Sequence, residues 1–171
     1  MLRIGRFWRR SLLAALTACW MPAAMSAATI IVVRHAERAN AMTADAPLSP
    51  AGEERARVLA KALGDAGVRR IFVTEVRRVQ QTAEPLAARL HLEPVVIPQK
   101  NTAELVKQLK ALGDDETVLV VGHTTTIPAI VEGLGATVAP VADAEYDRMV
   151  FVVTGPGKAH VVTLRYGDMG K

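Results

Sequence analysis

The chain has 171 residues, with 21 Lys and Arg against 17 Asp and Glu. That length suits one domain and is short for two. The positive surplus is local. Arg3, Arg6, Arg9 and Arg10 lie in the first ten residues, which hold no acid, and they leave 17 charges of each sign beyond. The basic balance therefore gives no support for nucleic-acid binding, which needs a basic face on the folded domain.

After the basic start, Ser11 to Met21 is apolar, and Pro22 is followed by the small residues Ala23-Ala24-Met25-Ser26-Ala27-Ala28. This is the layout of a secretory signal peptide. The apolar stretch is too short to span a bilayer. The expectation is cleavage after Ala27 or Ala28, a periplasmic or secreted product, and a single domain over residues 29–171. Leu16-Thr17-Ala18-Cys19 offers a second reading, the lipobox of a bacterial lipoprotein, with Cys19 as a lipid-anchored N-terminus. A retained amphipathic helix is a third. Cys19 is the one cysteine of the sequence, so the domain beyond it relies on its core. At about 143 residues it can bury roughly two-thirds of its unfolded surface.

Apolar strand-like segments then alternate with helical ones. Thr29-Ile30-Ile31-Val32-Val33 suits a strand buried on both faces. A polar loop runs to Leu48, and Ser49-Pro50 opens a helix with Ser as cap and Pro at its first position. Ile71 to Thr74 is a second strand, and a helix over about 76–90 carries Val79, Ala83, Leu86 and Leu90 on one face. Pro94 to Ile97 is a short strand and 102–112 a helix. Val118 to Val121 is a fourth strand, and a helix begins near Thr126. Segments 148–153 and 160–165 read as a hairpin. The alternation implies right-handed βαβ units in a mostly parallel α/β sheet, with the hairpin as an antiparallel edge.

Chemistry gathers where strands end. The first strand stops at Arg34-His35, the second at Thr74 just before Arg77-Arg78, and the fourth at Gly122-His123. If these strands are parallel neighbours, the residues share the carboxyl end of the sheet, where ligands of open α/β folds sit. Two histidines and at least two arginines call for an anion, and guanidinium forks match phosphoryl oxygens. Thr124, Thr125 and Thr126 add hydroxyls and backbone N–H groups beside His123. His91 and His160 show no such placement and read as structural or surface residues. No metal-ligand spacing is evident.

The motifs resemble those of the histidine phosphatase superfamily, the group that contains phosphoglycerate mutases. Arg34-His35-Ala36-Glu37 is similar to its Arg-His-Gly-Glu signature, and Leu48-Ser49-Pro50-Ala51-Gly52 to its Leu-Thr/Ser-x-x-Gly helix opening. Arg78-Val79-Gln80-Gln81-Thr82-Ala83 is similar to its Arg-x-x-Gln-Thr-Ala helix start, which selects Arg78 over Arg77, and Gly122-His123-Thr124 to its Gly-His-Ser/Thr segment. The resemblance covers about residues 29–135. It implies a three-layer α/β sandwich of the phosphoglycerate mutase type. It also implies phosphoryl transfer through a phosphohistidine without a metal or other cofactor. His35 would be the nucleophile. Arg34, Arg78, His123 and Thr124 would hold the phosphoryl oxygens.

The same resemblance implies an acid that protonates the leaving group. Glu104 lies at the matching interval after Arg78 and is the expected donor. Glu37 is the runner-up, and a good leaving group would need none. The segment Arg38-Ala39-Asn40-Ala41 lacks the mutase continuation, and no long insertion could form a lid. A small bacterial phosphatase is therefore expected. Its exported address suits phosphate esters of the bacterial envelope, such as a lipopolysaccharide core phosphate. The alternative is a non-catalytic phosphate-binding module on the same fold.

Overall fold

The computed structural model describes residues 27–167. The expected leader and the lipobox cysteine lie outside them, apart from Ala27 and Ala28. Strand β1, Thr29–Arg34, is buried from Ile30 onward and forms the middle of the domain. Helix α1 spans Pro50–Leu63 and strand β2 Val68–Val73. Helix α2 spans Arg77–Leu90, strand β3 Val95–Val96 and helix α3 Thr102–Lys110. Strand β4 is Thr117–Gly122 and helix α4 Thr126–Gly133. Strands β5, Arg148–Val153, and β6, His160–Arg165, close the fold.

The six strands form one mixed sheet in the order β3-β2-β4-β1-β5-β6. β4 runs parallel to β1 on one side and to β2 on the other. β5 is antiparallel to β1, and β6 to β5. The expected edge hairpin is therefore present, joined directly to the central strand.

Strand alternation sends side chains to two cores. Ile31 and Val33 face α1 and α2, packing with Leu59, Leu63, Val79, Ala83 and Leu86. Ile30 and Val32 face α3 and α4, packing with Leu105, Leu109, Ile127 and Ile130. Helices on both faces of the sheet make a three-layer α/β sandwich. The short strand β3 is cut to two residues with both side chains exposed. Pro94 and Pro98 flank it, and neither can donate to a ladder. Ala28 is buried, and its carbonyl accepts from the Thr154 N–H at 2.9 Å. Residue 28 is thus packed into the domain. Among the described residues, no helix is long and apolar enough to cross a membrane.

Parallel pairing fixes where the site lies. Arg34 pairs with Gly122 across β1 and β4, so both strands end level. The residues that follow, His35 and His123, leave the sheet side by side, and the His35 N–H donates to the Gly122 carbonyl at 3.0 Å.

Candidate active site

The rings of His35 and His123 stand 5.4 Å apart, edge to face. His35 Nδ1 lies 2.8 Å from the Ala36 carbonyl oxygen. A carbonyl only accepts, so Nδ1 carries the proton and the neutral ring leaves its lone pair on Nε2. Arg78 Nε donates to that Nε2 at 3.1 Å. His123 Nε2 shares a 3.2 Å hydrogen bond with the hydroxyl of Thr74, the residue that ends β2. Three strands thus deliver His35, Arg78 and His123 to one cluster, as their shared position in the sequence implies.

Arg34 is held differently from expectation. Its Nη1 donates to the carbonyls of Asp143 at 2.7 Å, Ala142 at 3.1 Å and Glu145 at 3.3 Å. Its guanidinium lies 4.0 Å over the Tyr146 ring, with Nη2 donating to the Tyr146 hydroxyl at 3.4 Å. One end of the fork is therefore spent on a strap, residues 142–146, rather than kept for a ligand. The Nε–H remains. It is buried and has no partner among the described residues. An unmet buried donor beside two histidines is costly unless a ligand oxygen accepts from it.

The motif residues between these groups have structural reasons. The Thr82 hydroxyl donates to the Arg78 carbonyl at 2.7 Å and accepts from the Ala36 N–H at 3.0 Å, tying the loop after β1 to α2. Gln81 Oε1 accepts from the Leu48 N–H at 2.9 Å. Ser49 caps α1 by accepting from the Gly52 N–H at 3.1 Å, and its own N–H donates to the Glu37 carbonyl at 2.8 Å. A Cβ on residue 52 would collide with that same carbonyl, so glycine is required there. Arg55 on α1 grips both carboxylate oxygens of Glu37 at 2.7–2.9 Å. Burial works against the Glu37 charge, but the bonds and charge of Arg55 prevail and hold its carboxyl below the usual range. Glu37 is a locked anion and a poor proton donor.

Burial dominates the electrostatics of both histidines. It pulls His35 down to about 4, against the pull of the Ala36 carbonyl and with help from Arg78, His123 and Arg34. His123 is likewise lowered to about 4 by burial, then by Arg78 and Arg34, with Glu75 opposing. Burial and the nearby Arg38 lower Arg78 as well, from a value so high that it stays charged. Without a ligand the cluster is therefore two cations and two neutral imidazoles.

Other expected residues fall elsewhere. Glu104 is exposed on α3, where its carboxylate accepts from Gln108 at 3.1 Å and faces Lys107 at 3.9 Å. None of its contacts reaches the cluster. Thr124 is half-buried beside His123, while Thr126 makes the local bond, its hydroxyl accepting from the His123 N–H at 2.9 Å. His91 ends α2 in the left-handed conformation, φ 54°, and is exposed, as is His160. Tyr146 and the strap carbonyls carry no signal in the sequence. Thr74 was visible as a strand end, but nothing local marks a tyrosine that lies 112 residues from the arginine it covers. Among the described residues, no three His, Cys, Asp or Glu side chains are grouped to hold a metal ion.

A three-layer α/β fold with two buried histidines and two arginines at its strand ends defines a class of oxyanion-handling protein. Residues 30–104 match the model of the histidine phosphatase superfamily, branch 1, so that stretch of the chain is similar to it. Among solved structures, the protein histidine phosphatase SixA complexed with tungstate is similar. The TM-score is 0.63 at 19% identity, covering 80% of this chain and 96% of that one. A mycobacterial glucosyl-3-phosphoglycerate phosphatase gives a TM-score of 0.64 at 15% identity, covering 82% of this chain and all of that one. No curated protein matched the sequence.

Proposed function

We propose that this chain is a phosphomonoesterase that works through a phosphohistidine on His35. The observation that carries the reading is the Arg78 Nε to His35 Nε2 bond at 3.1 Å, together with the proton on Nδ1. It fixes an unprotonated nitrogen among cations, ready to attack phosphorus, and Arg78 can move its donor from that nitrogen to a phosphoryl oxygen. Arg34 Nε–H offers a second donor. His123, bonded through Nε2 to the Thr74 hydroxyl, stands beside them. Phosphoryl transfer spreads charge over three equatorial oxygens, and fixed donors there lower the barrier. Each charge-assisted contact contributes about 1.5–3 kcal/mol, so loss of Arg78 should slow turnover roughly ten- to a few-hundred-fold.

SixA binds tungstate in its solved structure, a tetrahedral oxyanion like phosphate. That supports a phosphorylated substrate or phosphate as the ligand here. The leader-like segment of residues 1–28 supports work in the periplasm or outside the cell, with lipid anchoring at Cys19 as the other route. Phosphate esters of the envelope would then be in reach.

The test is hydrolysis of p-nitrophenyl phosphate by the protein, with and without EDTA, beside His35→Ala. Turnover that survives EDTA, vanishes in the variant and leaves acid-labile phosphate on His35 is expected. Tight phosphate binding without turnover of activated esters would instead establish the binding-module alternative. Mass spectrometry of the mature N-terminus, with globomycin, separates cleavage from lipidation.

A further inference from the structure

We propose that Glu75 is the acid that protonates the leaving group, its carboxyl held at the end of β2 by the Gln99 backbone N–H with one oxygen free. The inference rests on the phosphohistidine reading and fills the role that neither Glu37 nor Glu104 can take. Glu37 is spent on Arg55, and Glu104 on its own helix. Glu75 directly follows Thr74, whose hydroxyl bonds His123. Gln99 N–H donates to Glu75 Oε2 at 2.8 Å, stapling the loop after β2 to the turn after β3. Oε1 has no partner among the described residues, and the side chain is exposed at the open end of the sheet.

The direction is right for an in-line reaction. The leaving oxygen departs on the side of phosphorus opposite His35. Gln99, which holds the Glu75 carboxyl, lines one hollow with Thr74, Gly122 and Thr126, the residues that flank His123, and the Glu75 charge acts on His123. Glu75 thus stands on the His123 side of the cluster. Asp45 is the nearest rival. It acts on Arg78, and its Oδ1 is already taken by the Arg77 N–H at 2.8 Å.

The steps balance. His35 Nε2 bonds to phosphorus as the P–O ester bond breaks, and the leaving alkoxide takes the Glu75 proton. Water then attacks the phosphohistidine, giving its proton to the Glu75 carboxylate. The P–N bond breaks and its electron pair returns to Nε2. Inorganic phosphate leaves with both groups restored.

The experiment compares kcat/KM for p-nitrophenyl phosphate, whose leaving group needs no proton, with an alkyl ester, glycerol phosphate. Glu75→Gln keeps an oxygen for the Gln99 N–H, so the loop anchor is retained. The expected result is a loss of roughly 10²–10⁴-fold on the alkyl ester. On p-nitrophenyl phosphate the variant should stay within a few-fold of the parent. Glu104→Gln and Asp45→Asn should keep the parent ratio between the two esters. Equal loss on both esters, no loss on either, or a selective loss in Asp45→Asn instead would overturn the assignment. So would a parent enzyme that hydrolyses only the activated ester. If the parent releases phosphate from neither and never labels His35, the phosphohistidine reading itself fails.

Discussion

The two buried histidines should make the fold acid-sensitive well above the pH at which carboxylates protonate. Both are lowered to about 4 in the fold, mainly by burial. An unfolded histidine titrates near ~6.5. As pH falls from 7 to 5 the unfolded chain takes up both protons while the folded chain resists them, so stability falls with pH. Linkage gives roughly 2 kcal/mol lost per histidine over that interval, roughly 4 for the pair. Below about pH 4 the folded rings protonate too, and this contribution is fully lost.

The assay is urea unfolding at pH 7 and at pH 5, for the parent chain and for a variant carrying His35→Asn and His123→Asn. Other groups titrate alike in both, so the difference of differences isolates the two rings. The parent should lose roughly 4 kcal/mol more than the variant. Saturating inorganic phosphate should shrink that excess, because a bound anion favours imidazolium. An excess below about 1 kcal/mol would mean that the rings titrate normally, and the argument from burial would fail.

Two further predictions concern the frame around the cluster. Thr82→Val strands the Ala36 N–H in a buried setting, while the Arg78 carbonyl keeps its helical backbone partner. It should cost about 1–3 kcal/mol in urea unfolding, and kcat should fall with it because His35 follows Ala36's loop. Gly52→Ala drives a methyl into the Glu37 carbonyl, so either α1 or the loop after β1 must shift. A loss of about 1–3 kcal/mol is expected by the same assay, and an unchanged midpoint would show that the close approach is relaxed at no cost.

Much of the fold was legible because its signals are local. The unbroken Ile30 to Val33 run announces a strand buried on both faces, and the structure buries it completely. Ser49-Pro50 marks a helix start, and the cap bond forms. The apolar letters from Pro94 to Ile97 predict a longer β3 than the two residues that form, because the flanking prolines cannot donate to a ladder. At the site, His35, Arg78 and His123 were legible as residues that follow strand ends, since parallel pairing brings such ends together whatever the loops do.

The sequence by itself determined which strands exist, and hence that three of their ends could share one edge of the sheet. Periodicity and caps are properties of neighbours in the chain, and they carry that much. Only the tertiary structure decided what each side chain does there. It spends one end of the Arg34 fork on carbonyls more than a hundred residues away. It locks Glu37 against Arg55 and leaves Glu104 on an outer helix face. Burial also strips both histidines of their charge. Partner choice and desolvation depend on distance through space, which no local pattern of residues encodes.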